Sequence, residues 1–210
     1  CVVLTCSTLT TLAQAQTPAA WPAAKPMSVV VPFAAGGAVD YAARMVINKL
    51  GERLGQSMVI DNVAGAGGVV GTAKVARAAP AGYTLLVAPD STIVIAPLVT
   101  PDAVKYDPLK DLAPVSLIGS APLVLVTDVT TPGETGRDLM EAARKGGKAW
   151  SYGSPGVGTV AHIGMELLKG KAGIDPVHVP YPGNPQVVTA MMGQQVQLAL
   201  LPPGIALPQV

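Results

Sequence analysis

Apolar residues recur along this 210-residue chain in short runs whose period changes as they go. Ser28 to Val31 is a β-branched run closed by Pro32, the pattern of a buried strand. From Ala38 to Leu54 the period becomes helical. Ala42, Ala43, Val46, Ile47, Leu50 and Leu54 share one face, and Arg44, Asn48, Lys49, Glu52 and Arg53 share the other. Gly55 ends that helix. Met58 to Ile60 reads as a second strand. Gly65, Gly67, Gly68 and Gly71 then open a small-residue helix that runs to about Ala78, and Tyr83 to Val87 reads as a third strand. Strand and helix in alternation predict a parallel α/β sheet.

A long connection through Pro108 to Leu117 leads to the apolar run Leu123 to Val126, and a second alternating series follows. It predicts helices over Arg137 to Arg144, Thr159 to Leu168 and Val187 to Met192. Strands are expected at Ala149 to Tyr152, Val177 to Val179 and Val196 to Leu200. The expected division is a first lobe at residues 27–120 and a second at 121–210. Three strands make a thin sheet for the first lobe, so a carboxyl-terminal part is expected to be missing from it.

The amino-terminal end reads as export material. Residues 1–15 resemble part of a signal peptide, with a modestly apolar stretch and the small-x-small site Ala13-Gln14-Ala15, and residues 16–26 form an Ala/Pro-rich leader. Cys1 and Cys6 both fall in the signal segment. A lipid-anchoring cysteine at Cys6 is the rival reading, against the poor match of Val3-Leu4-Thr5. Removing the signal leaves no cysteine for a disulfide or a thiol nucleophile. The net charge of +1, without a basic stripe, excludes nucleic acid as the main partner.

Four loops carry candidate chemistry: Pro32 to Asp40, Asn62 to Gly71, Ser151 to His162 and Val179 to Pro185. Between strand and helix the first three contain no Lys or Arg. They offer glycine-exposed N–H groups at helix starts, with the hydroxyls of Ser154 and Thr159. Helix starts bind anions through orphan donors and the positive dipole end, and glycine lets a ligand approach the backbone. In parallel sheets such loops sit at the carboxyl ends of the strands, where ligands bind. Asp40 has two readings: an acid that complements the helix dipole, or an acceptor for a ligand amine or hydroxyl.

Other chemistries fit less well. A dinucleotide fingerprint fails because Val70 stands at the third glycine position, and Gly170-Lys171-Ala172 is no phosphate loop. No metal motif is present. An exported serine hydrolase remains the alternative, with Ser154 as nucleophile, His162 as base and Glu166 one helical turn away. Gly153 directly before Ser154 breaks the nucleophile-elbow spacing. His178, in a strand, reads as structural.

On these residues the chain resembles the substrate-binding proteins of tripartite tricarboxylate transporters, the TctC or Bug family. The carrying motifs are Val31 to Asp40 (V-P-F-x-x-G-G-x-x-D), Asn62 with Gly65 to Gly68, Gly82 to Leu86, the block Tyr152 to Glu166, and Val179 to Gly183 (V-P-Y-x-G). The resemblance implies an α/β, two-lobed periplasmic-binding-protein-like (type II) fold that closes on a small organic carboxylate. It further implies a periplasmic location, a monomer, membrane transporter subunits as partners, no cofactor, no metal and no catalytic residue. The expected ligand-binding residues are Phe33, Ala34, Ala35, Gly36, Gly37, Val39 and Asp40 in the first loop and Ala66 and Gly67 in the second. Ser91 follows the third strand. Ser154, Gly158, Thr159 and His162 lie in the third loop and Pro185 in the fourth. Departures from the family pattern include Val39 where Thr is common, Val63-Ala64 for Arg-Pro, Ala81 for Asp and Ala190 for Asp. The first removes a hydroxyl from one direct ligand bond.

Overall fold

A computed structural model describes residues 21–209. The signal segment, both cysteines and the first part of the leader lie outside the described residues. The end of the leader packs on the first lobe: Trp21 Nε1 donates to Gly82 O, and Lys25 sits 4.9 Å above the Tyr83 ring.

The first lobe is a three-stranded parallel sheet in the order β2-β1-β3, with β1 at Met27–Val31, β2 at Met58–Asn62 and β3 at Thr84–Leu86. Val29, Val30 and Val31 of the central strand are fully buried, as a β-branched run flanked on both sides requires. Helix α1, Ala38–Leu54, spans the range its periodicity predicts, and Gly55 ends it in the left-handed conformation at φ 60°. Helix α2, Val69–Ala76, packs Val69 and Ala73 with Ala96 and Tyr106.

The sequence reading missed a short helix near the carboxyl end, Pro203–Ala206, and a longer helical segment in the first lobe. A widened turn at Ser91–Ile95 runs directly into α3, Ala96–Val99. Pro89 and Pro97 disguise it, because prolines there read as loop although Pro97 sits in the permitted first turn of a helix. The Tyr106 hydroxyl donates to Thr92 O and ties the following connection back to this segment. Beyond it, residues 112–123 run without regular structure, and Val115 and Leu117 are almost wholly exposed.

The second sheet has the order β4-β7-β5-β6, with β4 at Val124–Thr127, β5 at Ser151–Ser154, β6 at Val177–Pro180 and β7 at Leu198–Leu201. Only the β4–β7 pair is antiparallel. Its helices are α4 (Gly136–Gly146), α5 (Val160–Ala172), α6 (Asn184–Met192) and α7 (Pro203–Ala206). One face of the sheet packs Ala199 and Leu201 with Val187, Ala190, Met191 and Ala206; the other packs Tyr152 and Leu198 with Leu139 and Met165. The strand expected at Ala149–Tyr152 lies about two residues later. A tight helical turn at Gly147–Ala149, following α4, takes its predicted start. Among the described residues no helix is long and apolar enough to cross a membrane.

One glycine sets how the first lobe presents its loops. A Cβ on Gly71 would lie 2.7 Å from Val63 O and 2.8 Å from Pro32 Cα. Helix α2 therefore rests directly on the chain leaving β1 and the chain leaving β2. Gly71→Ala is expected to cost about 1–3 kcal/mol of stability through this overlap. Urea denaturation checks it, with a lower midpoint at unchanged slope.

Candidate functional site: a glycine-lined cleft between the sheets

The register fixes which loops are neighbours. Val31 pairs with Asn62 at the ends of β1 and β2, and Ser154 pairs with Pro180 at the ends of β5 and β6. The β1–α1 and β2–α2 loops therefore emerge side by side, as do the β5–α5 and β6–α6 loops. The two pairs meet. A Cβ on Gly67, at φ 63°, would lie 2.4 Å from Val157 O, and one on Gly156 would lie 3.0 Å from Gly67 Cα. On the other side a Cβ on Gly183 would lie 3.0 Å from Ala34 Cβ, and the Pro185 ring approaches Gly36 and Gly37. The first meeting needs glycine, because the backbones touch; the second is a close fit at Gly183 against the Ala34 side chain, with Pro185 in ordinary contact.

Between the loops lies a cavity of about 470 Å³, lined by Ala64 to Gly68, Pro155 to Val157 and Pro180 to Pro182. No lining residue is charged, as the cation-free loops led us to expect. Helices α1, α2 and α6 begin on Gly37, Gly68 and Gly183, and none of the three receives a side-chain cap. Their first turns thus lack a side-chain acceptor, although at α2 the N–H groups of Val69 and Val70 bond to Ala66 O and Gly65 O and Pro185 removes one donor at α6. Helix α5 differs: Thr159 caps it by accepting from His162 N. A second hollow of about 390 Å³ lies against β4, α6 and α7, lined mainly by apolar residues such as Val126, Val188, Met191 and Leu201. It includes no residue of the four glycine loops.

The first loop is held by Asp40, which is 2% exposed. One carboxylate oxygen accepts from Gly36 N at 2.9 Å and Arg44 Nε at 2.8 Å, and the other from Asn62 Nδ2 at 3.0 Å. Asn62 Nδ2 also donates to Phe33 O at 3.1 Å, tying the first loop to the second. Burial alone would raise the Asp40 pKa. The bonds from Arg44, Gly36 and Asn62 outweigh it and hold the carboxyl below its ordinary value. Neither sequence reading of Asp40 contained this arrangement: the carboxylate is occupied by internal donors, and Arg44 reaches back one helical turn to supply one. The Asn62 role was absent from the reading because it depends on strand register, whereas the i,i+4 spacing of Asp40 and Arg44 was open to it and was not used.

In the third loop the Ser154 hydroxyl is fully buried and stands 2.7 Å from His178 Nε2. It also accepts from Gly156 N at 3.2 Å. His162 is elsewhere: its Nδ1 accepts from Gly158 N at 3.2 Å. The Ser154–His162 pair of the hydrolase alternative is therefore not formed. Glu166 accepts from the Tyr152 hydroxyl and from Lys169 Nζ, which replaces the local His162–Glu166 hydrogen bond expected from their spacing.

Of the expected ligand residues, Ala66 and Gly67 line the cavity. Ala34, Gly36, Gly37 and Pro185 form the adjoining contact between the lobes. Ser154, Gly158, Thr159 and His162 build the turn behind Gly156 and Val157. Phe33 is buried, with ring atoms 3.0 Å from a Cβ built on Gly68, and Ser91 is buried at the start of the widened turn. Ala35 is exposed, and Val39 is half-buried in the first turn of α1. The reading missed Pro155, Gly156, Val157 and Tyr181 as lining residues. They lie inside the loops it singled out, beside the residues it chose.

Two α/β sheets whose carboxyl-end loops close on one another across a cleft define a periplasmic-binding-protein fold, a class that captures solutes between lobes. Within that class, the chain belongs to the tripartite tricarboxylate transporter receptor family, TctC, whose model matches residues 42–210. It is similar to BugT of Bordetella pertussis, with 37% identity over 172 residues, 81% of this chain and 52% of that protein. It is also similar to MatC from Rhodopseudomonas palustris, solved with bound malate (31% identity, TM-score 0.83, 90% of this chain and 63% of that one). A second R. palustris protein, solved with adipate, matches at 31% identity and TM-score 0.86 over 90% of this chain and 62% of that one. The chain spans about half the length of the curated relatives it matches. The family is one of transport receptors, not of enzymes.

Proposed function

We propose that this chain is the ligand-holding part of a periplasmic receptor that captures a small organic carboxylate and delivers it to the membrane subunits of a tripartite transporter. It acts as a monomer, without cofactor, metal or nucleic acid. The lobe boundary falls near residue 121, and the ligand is gripped by the loops that start α1, α2, α5 and α6. The observation that carries this reading is the charge-free cleft flanked by three helices that begin on glycines without side-chain caps. Relatives solved with malate and adipate support the ligand class.

The energetics are adequate. A hydrogen bond from an N–H to a charged carboxylate contributes about 1.5–3 kcal/mol. Four of them at the upper end of that range, less an association cost of about 4 kcal/mol, reach roughly −8 kcal/mol, the value for micromolar affinity. Titration calorimetry of the chain with malate, adipate and a panel of monocarboxylates is expected to give micromolar binding for at least one. Absence of both heat and thermal stabilisation across the panel overturns the reading.

A further inference from the structure

The turn Gly156–Thr159 forms one wall of the cleft and receives Gly67, and a pair of histidines stands behind it. His162 and His178 stack with ring centroids 4.2 Å apart, and Tyr152 packs against both, 4.8 Å from His178 and 6.5 Å from His162. Each imidazole touches the turn through a hydrogen bond that depends on its protons. Gly158 N donates to His162 Nδ1, so that nitrogen carries no proton. Ser154 Oγ meets His178 Nε2 and also accepts from Gly156 N. The groups facing the pair are Tyr152 on β5 and Glu166 and Lys169 on α5. Glu166 is occupied by Tyr152 and Lys169, and Lys169 also approaches Asp175 at 3.5 Å. The Glu166 charge favours a proton on either ring and that of Lys169 opposes it.

We infer that His162 and His178 are positioning residues for the ligand turn, and that a proton on His162 unlatches it. Protonation at Nδ1 sets an N–H against the Gly158 N–H and breaks the tie. A proton on His162 in turn keeps His178 neutral, since two stacked imidazolium ions repel. Burial, joined for His178 by the charge of His162, lowers both rings below the ordinary histidine value, His178 to about 4. Neutral rings are thus the folded form. The turn is intact above pH 6.5 and opens as the pH falls below it, through the lowered value of His162. The consequence for ligand affinity rests on the receptor reading; the consequence for the turn does not.

The test uses the ¹⁵N-labelled chain. Long-range ¹⁵N–¹H spectra report the protons on each imidazole, and amide exchange reports Gly158, both from pH 7.5 to 4. His162 Nδ1 is expected to be unprotonated at pH 7.5. Gly158 protection is expected to fall at least tenfold, beyond the intrinsic pH effect, with the midpoint of His162 titration. His162→Asn keeps a carboxamide acceptor without a titrating proton and is expected to remove that step. In His162→Asn the remaining ring, His178, is expected to titrate at a higher pH, because the charge of His162 no longer opposes its proton. A proton on Nδ1 at pH 7.5 overturns the inference, as does a Gly158 amide that ignores the titration. In a parallel arm, malate and adipate are titrated against both the parent chain and His162→Asn, so that the acids' own ionisation cancels in the ratio. A ratio that changes toward low pH supports coupling of turn to ligand, and a constant ratio overturns it. No binding to either chain, with Gly158 still following His162, leaves the latch standing and removes the receptor reading.

Discussion

Gly67→Ala is expected to lower carboxylate affinity by about 100-fold while both sheets stay folded. Two effects act at this position. The residue sits at φ 63°, ψ 23°, where a Cβ costs about 1–2 kcal/mol. The added carbon would also lie 2.4 Å from Val157 O, on the opposite lobe. The first effect strains the β2–α2 loop alone. The second pushes the lobes apart where they must meet around a ligand. Gly55→Ala separates the two, because Gly55 has φ 60° and nothing within 4 Å of its added carbon. That variant is expected to lose only the backbone contribution, about 1 kcal/mol, with affinity unchanged. Calorimetric affinity and thermal midpoints measured side by side decide the matter. Equal affinity losses in the two variants would place the Gly67 effect in the loop and not in the contact.

Asp40→Ala is expected to be the most destabilising single change in the cleft, by about 3–5 kcal/mol from two buried charge-assisted bonds. It strips the acceptor from Gly36 N and from Asn62 Nδ2, so the first loop loses its anchor and its tie to the second. Arg44, half exposed, is left to water and adds little. Asp40→Asn retains the shape and part of the hydrogen bonding and is expected to lose less. The acid limb of the stability profile supplies a second readout. The folded carboxyl titrates below its ordinary 3.8, so its contribution is complete above that value and fades as the pH falls through the folded one. Denaturant unfolding of the parent chain from pH 5 to 2 is expected to show this loss, and Asp40→Ala to show less of it.

Local pattern made much of the molecule legible. Helix α1 was bounded by its periodicity and by Gly55, and most strands were placed, to within about two residues, by short apolar runs between breakers. The four glycine loops were visible because side chains vanish at strand ends. What escaped the reading depends on pairing between distant segments. The Ser154–His178 contact exists because β5 and β6 lie in register, which nothing in either strand states alone. The Asp40–Asn62 bond likewise needs β1 beside β2. Spacing within one helix suggested His162 with Glu166, yet Tyr152, from the neighbouring strand, claims that carboxylate. The segment at Ser91–Val99 failed for a different reason: its prolines are compatible with a helix start but resemble a loop when counted singly.

The second sheet places its last strand in the interior: β7 lies between β4 and β5, and Val124 pairs with Leu201. A chain emerging from its amino end presents β4 long before its partner exists. Until residues 198–201 arrive, the edge of β4 offers open hydrogen-bonding groups. Such late, long-range pairing makes folding slow relative to local helix formation. Wherever the chain must stay unfolded for a time, that delay keeps the second sheet unfinished until residues 198–201 are present.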